Sequence, residues 1–231
     1  MKSAILPLLF FANLVSAQQN NIAQFAVWKP NQLLKQEFEK GYKKHLEWHK
    51  TAGDKWNWYG WYFTSGQRAG QFIDATFEHS WKDFDNAVKP AEDRADNDLH
   101  VHPFADLSTV FRVAFLPHLS IRDSNSLRSK FLRLIKLDVA NVPDAVKVLE
   151  KMKASYLSAG IKNFMPFKML DGGNLNQLII LIGSNNREEF GMTQNFQEEL
   201  TTIEMTLKIK VIIGITSETL NYLPNMSYFS N

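Results

Sequence analysis

Residues 56–81 read WNWYGWYFTSGQRAGQFIDATFEHSW, two runs rich in aromatic and β-branched side chains joined by a glycine turn. That composition predicts a β-hairpin, with a loop longer than the tight two-residue kind. Tryptophan and tyrosine fall on both parities of the first run, so the hairpin should be covered on both faces. The same outline returns 106 residues later in 164–187, FMPFKMLDGGNLNQLIILIGSNNR, which makes the chain one folding unit used twice.

The repeat extends beyond the hairpin. At an offset of 106, Phe25 falls on Phe131, Gly66 on Gly172, Gln71 on Gln177 and Phe84 on Phe190. At 107, Leu116-Pro117-His118-Leu119-Ser120 falls on Leu223-Pro224-Asn225-Met226-Ser227. Before the hairpin, residues 22–28 form an apolar strand that Pro30 closes. In residues 31–52, Leu34, Phe38, Tyr42, His45 and His49 recur at helical steps, with lysines and Glu39 on the other face. After it, Ser80 caps a helix with Trp81, Phe84 and Val88 inward, which Pro90 interrupts. Residues 92–98 are acidic and read as a solvated loop, and 109–121, TVFRVAFLPHLSI, as a strand. The Ser/Asn-rich 124–129 is the linker between repeats 18–123 and 130–231. The second half predicts a strand at 131–139, a helix at 143–159, strands near 164–170 and 177–182, a helix at 187–208 and a strand near 219–229.

Each half therefore reads β-α-β-β-α-β, the ferredoxin-like order. Helices on one side leave the other face of the sheet apolar and in need of a cover, which the second half can supply. The fold class is α+β: two tandem ferredoxin-like repeats packed sheet to sheet as an intrachain α/β barrel. In this element order, and in its paired helix-then-aromatic-hairpin pattern and LPxxS segments, the chain resembles the dimeric α/β-barrel superfamily in its duplicated single-chain form. That superfamily includes NIPSNAP-like, EthD-like, antibiotic-biosynthesis-monooxygenase-like and haem-handling branches. The resemblance implies a fold and a habit of binding small, often aromatic or apolar molecules between sheet and helices. No catalytic motif of those branches transfers.

Composition narrows the function classes. With 26 basic and 24 acidic residues among 231, nothing points to a nucleic-acid partner. Lys2, the apolar run 5–15 and Val15-Ser16-Ala17 read as a signal peptide over residues 1–17, predicting export to periplasm or medium as a monomer or homodimer with no integral membrane segment after cleavage. The absence of cysteine removes disulfides, thiol nucleophiles and thiolate metal sites.

The chemistry-bearing candidates cluster in the first half. Trp56, Trp58 and Tyr62 are candidate ligand-binding residues, because such rings bring area and a polar tip. His45 and His49, one helical turn apart in HLEWH, join them; imidazoles at that spacing suit a divalent metal given a third ligand from His79, His100 or His102. HLEWH is not HExxH, and no residue is assigned as a metal ligand. His79, replaced by Asn185 in the second half, is the candidate catalytic acid/base or axial haem ligand. Asp74, within an apolar strand, reads as facing solvent rather than buried with a raised pKa. No cofactor is assigned. The leading expectation is an exported protein binding a small apolar or aromatic molecule, with a monooxygenase-type activity. The alternatives are a non-catalytic structural or interaction protein and a metal- or haem-dependent enzyme using the histidines.

Overall fold

The structure is a computed structural model that describes residues 20–230; the expected signal peptide lies outside them. The first half runs β1 (Ile22–Pro30), α1 (Lys35–Ala52), β2 (Tyr59–Phe63), β3 (Phe72–His79), α2 (Trp81–Asp85), α3 (Pro90–His100) and β4 (Ala105–Phe115). The second runs β5 (Phe131–Val139), α4 (Val142–Ser158), β6 (Met165–Asp171), β7 (Gln177–Ser184), α5 (Arg187–Gly191), α6 (Phe196–Leu207) and β8 (Ile212–Tyr222).

Each half is an antiparallel sheet, β4-β1-β3-β2 and β8-β5-β7-β6, and the two join at their edges through β2–β8 and β4–β6. The result is a closed eight-stranded barrel in which every described strand is paired on both sides. The two apolar sheet faces meet inside it, where Phe25, Val27, Trp61, Phe63, Ile73 and Phe111 pack against Leu132, Leu134, Phe167, Ile179, Leu181 and Leu220. The aromatic hairpin divides by parity. Tyr59, Trp61 and Phe63 point into the barrel, while Tyr62 and Trp58 join Phe38, Tyr42, Leu46 and Phe72 on the face beneath α1.

Several elements differ from the sequence reading. Pro90 opens α3 rather than ending a helix, since proline without an N–H is tolerated at the first position, and Glu92 and Asp93 in the first turn complement the helix dipole. The acidic segment is thus helical. Trp81 is 46% exposed instead of inward. The 187–208 helix is two, α5 and α6, and the last strand begins at Ile212.

The LPxxS segments are 3-10 turns after β4 and β8, and each crosses to the opposite half. Leu119 is buried in the core under α4, and Met226 in the core under α1. Leu116 N donates to Pro166 O at 3.0 Å, and Leu223 N to Gly60 O at 2.9 Å. The bridges Ile121↔Phe164 and Trp58↔Tyr228 fall at the same two offsets. The connector at 124–129 is also built in, with Ser126 buried and its hydroxyl donating to Asn163 Oδ1.

Candidate functional site

The helical spacing on α1 delivers Phe38, Tyr42, His45 and His49 to its buried face. Phe38 and Tyr42 pack on Phe72; one turn on, the face becomes polar. Gly53 ends the helix in the left-handed conformation, φ 75°, donating back to α1 carbonyls. The chain then turns under the helix, so Asp54 Oδ2 stands 2.8 Å from His49 Nδ1. This is a close approach rather than an aligned hydrogen bond, because Nδ1 meets no directional partner. The Trp56 amide donates to Asp54 Oδ1 at 3.0 Å and the Trp58 indole to Oδ2 at 2.9 Å.

The opposite wall is α3, which the sequence reading missed as a helix. It crosses α1 at Gly41, where a Cβ would stand 1.7 Å from the His100 carbonyl oxygen. Only glycine permits this approach, and it brings Asp93, Asp96 and Asn97 over the two histidines. Asp96 Oδ2 lies 2.8 Å from His45 Nδ1 and its Oδ1 lies 3.1 Å from His100 Nδ1. The two Nε2 atoms of His45 and His49 face each other at 3.1 Å, and Asp93 Oδ1 lies 3.4 and 3.9 Å from them. Together these three residues can each offer one donor atom to a common point.

Burial sets the protonation pattern. Desolvation, reinforced by His49, lowers His45 to about 4 against the opposing Asp96 contact, so it is neutral. Burial would push Asp54 up, but the His49 contact and the Trp58 and Trp56 donors outweigh it and hold it below the usual carboxylate value. Asp93 is pushed up by burial and by Asp54 and Asp96, with His49 opposing. Beneath them Asp74 is 4% exposed, accepts from Trp28 Nε1 at 2.8 Å and is raised to about 7, chiefly by desolvation. The expectation that it faces solvent is corrected: on β3 it shares the helix-covered face with Tyr42.

A cleft of about 200 Å3 opens beside the cluster, lined by His49, Asp54, Asp93, Trp56, Trp58, Phe84 and Arg112 among others. Of the expected ligand residues it takes Trp56, Trp58 and His49; His45 stands one layer behind. Tyr62 is not part of it. It is 7% exposed, packed on Phe72 with Lys35 Nζ 4.2 Å above its ring, so the space between hairpin and α1 is filled at that end. His79 lies behind the cleft wall, its ring 4.3 Å from Trp56 and 5.4 Å from Phe84, with Nε2 2.6 Å from the Thr76 hydroxyl. Burial lowers its pKa. A nitrogen tied to Thr76 and a ring packed between two aromatics do not present a free axial ligand, so the surroundings of His79 do not fit haem. His100 ends α3 with Nδ1 3.1 Å from Asp96 Oδ1, and His102 packs edge-on to Trp28. A larger hollow of about 600 Å3 lies at one barrel mouth, over Phe111, Leu134, Met169 and Ile179 with Lys136 and Glu218 at its lining, but it gathers no comparable set of donors.

The second half carries the same scaffold without these groups. At the offset of 106, α2 falls on α5, and Asp93 and Asp96 fall on Glu199 and Thr202 of α6; the buried faces of α1 and α4 match one residue further on, so His45 and His49 correspond to Met152 and Tyr156. Asp54, Asp93, Asp96 and Asn97 escaped the sequence reading as site residues; the available signal was that Asp54, Asp96 and Asn97 fall on Gly160, Thr202 and Ile203 in the other copy, whereas Asp93 keeps a carboxylate counterpart in Glu199.

No protein-family model matches the chain and no curated protein matches it. Among solved structures it is similar to a candidate monooxygenase from Lactobacillus acidophilus NCFM, with 12% identity, TM-score 0.61, and 91% of this chain and 96% of that one covered. An anthrone oxidase-like protein follows at 11% identity and TM-score 0.55, covering 90% and 94%. Chlorite dismutase from Candidatus Nitrospira defluvii aligns at 7% identity and TM-score 0.56, covering 90% and 93%. At these identities the likeness concerns the fold. In fold, the chain is a duplicated, single-chain dimeric α/β barrel of ferredoxin-like halves, the architecture that its sequence resembles.

Proposed function

We propose that the protein binds a small aromatic or apolar molecule in the cleft at the His49 end of α1 and acts on it as a monooxygenase-type enzyme. The observation that carries this reading is the pairing of aromatic walls, Trp56, Trp58 and Phe84, with a floor of buried histidine and carboxylate. Apolar walls with a few convergent polar groups of shifted pKa are what ligand sites offer. The names of the similar structures lend the oxygenase direction its support. In this reading Trp56 and Trp58 hold the ligand, His79 positions Trp56 from behind, and Tyr62 belongs to the packing that fixes the hairpin. Arg112 lines the cleft with its guanidinium 5.2 Å from the Phe84 ring and its Nη1 paired with Asp171 at 2.7 Å, and only its buried Nε is left without a partner. Export is proposed on the sequence of residues 1–17 alone. Among the described residues no helix is long and apolar enough to cross a membrane.

The test is a titration of the full chain with phenol and 1-naphthol, followed by tryptophan fluorescence and native mass spectrometry. Saturable 1:1 binding that weakens at least tenfold in Trp58→Ala and in Phe84→Ala is expected. No binding of either probe, or binding unchanged by both substitutions, would overturn the reading. The structural alternative draws on Tyr59 and Trp61, which pack across to Phe229 and Tyr222 at the seam between halves. Those two glue the copies from inside the barrel; Trp58, on the opposite parity, also bridges to Tyr228 of the second copy, whereas the rings of Trp56 and Phe84 pack on His79 and each other within the first.

A further inference from the structure

We propose that His45, His49 and Asp93 bind one divalent transition-metal ion, through the two Nε2 atoms and Asp93 Oδ1, with its open positions turned to the Trp56–Trp58 cleft. Three observations carry this independently of any ligand in the cleft.

The first is spacing. Separations of 3.1, 3.4 and 3.9 Å define a triangle whose centre is about 2.0 Å from each donor, the length of zinc–imidazole and zinc–carboxylate bonds. The second is ring orientation. His45 turns Nδ1 to the Asp96 carboxylate at 2.8 Å, and His49 turns Nδ1 to Asp54 at 2.8 Å. Both Nε2 atoms therefore face inward, 3.1 Å apart and beside Asp93 Oδ1, where Asn97 Nδ2 also reaches His45 Nε2 at 3.0 Å; a cation between them would replace those two contacts. A carboxylate behind each ligand imidazole is also how metal-binding histidines are held and oriented. The third is charge. Asp54, Asp93 and Asp96 converge on two imidazoles in a largely buried site, and such a surplus is costly without a positive partner.

Two imidazoles and one carboxylate suit zinc or ferrous iron rather than magnesium or calcium. His49 and Asp93 both line the cleft, so a molecule held by Trp56 and Trp58 reaches the ion's free positions. The second half has no imidazole at the equivalent places and keeps only the carboxylate of Glu199, so one ion per chain is expected.

The test is calorimetric titration and elemental analysis of chelator-treated full chain with Zn2+ and, separately, Mg2+. One Zn2+ per chain at micromolar affinity or tighter is expected, with no Mg2+. Asp93→Asn and His49→Gln should each weaken Zn2+ at least 100-fold, and Asp96→Asn, acting through His45, by about 10–100-fold. Glu199→Gln in the second half should change nothing. Asp93 is half-exposed on α3, so circular dichroism of that variant shows whether the fold survives. In the unsubstituted chain, quenching of Trp48 and Trp58 that saturates at one Co2+ supports the site with no mutation at all. Absence of stoichiometric Zn2+ and of Co2+ quenching, or unchanged affinity in the folded Asp93→Asn and His49→Gln variants, overturns the proposal. Probe binding by the metal-free chain is read separately, so failure here is distinct from failure of the cleft reading.

Discussion

Asp74 shows how far a single residue's role depends on what covers it. In sequence it is a carboxylate in an apolar strand; in the fold it lies under α1 among Trp28, Tyr42 and Phe72. Its usual pKa of 3.8 is raised to about 7. The folded chain therefore holds a proton that the unfolded chain has released between about pH 4 and 7. Stability falls as pH rises through that window and levels off above it, a loss of about 4 kcal/mol for the full shift. Asp74→Asn keeps an acceptor for Trp28 and removes the titration. Urea unfolding of both proteins at pH 4.5 and 8 should show the variant gaining on the wild type by a few kcal/mol at the higher pH; parallel behaviour at the two values would refute the assignment. At this scale His45 and His49 were legible, because helical spacing alone places both on one face. Their partners were not, since Asp54, Asp93 and Asp96 reach them from a turn and a second helix, and no local pattern encodes that convergence.

At the scale of elements, the α1–α3 crossing decides whether the polar cluster exists. Gly41 is the point of closest approach, and it sits one turn before His45 on the same face. Alanine is the better helix former by about 1 kcal/mol, so on propensity alone Gly41→Ala should stabilise. A Cβ 1.7 Å from a backbone carbonyl reverses that sign. The variant should lose about 1–3 kcal/mol, the usual range for overpacking, while Lys40→Ala on the exposed face should stay near neutral. Thermal unfolding checks both, and a more stable Gly41→Ala would contradict the crossing. The sequence made α1 legible through its periodic apolar face. It hid α3, because a short acidic helix with Leu99 exposed has no apolar stripe to announce it. In sequence Pro90 reads as an interruption, although at a first helical position it is a start.

For the whole molecule, the duplication explains both the barrel and its asymmetry. Each half closes the other's sheet edges and sends an LPxxS turn beneath the other's helix. Stability is therefore shared across the copies. Met226→Ala, in the last turn of the second copy, should cost about 2–5 kcal/mol, and should loosen the first copy by disturbing Trp58 fluorescence. A cost below 1 kcal/mol with unchanged emission would count against the crossed arrangement. This architecture was the most legible level: Gly66 and Gly172, both at positive φ and each against the last strand of the other half, survive as equivalent places. Phe25, in contrast, lies inside the barrel and Phe131 on the helix-covered face against Phe190, because the first strands of the halves match at an offset of 109 rather than 106. The crossing of the tails was not legible, since LPxxS reads equally as strand or turn until its partner is known.

One copy kept a plain helix pair; the other carries two histidines and three carboxylates beside an aromatic cleft. That difference is tested most directly by an anomalous difference map from a crystal of the full chain soaked in Zn2+. The account expects one peak between His45 Nε2, His49 Nε2 and Asp93 Oδ1, and none beside Met152, Tyr156 and Glu199 in the second half. A map with no peak at the first position, or with the two imidazoles turned away from each other, would contradict it.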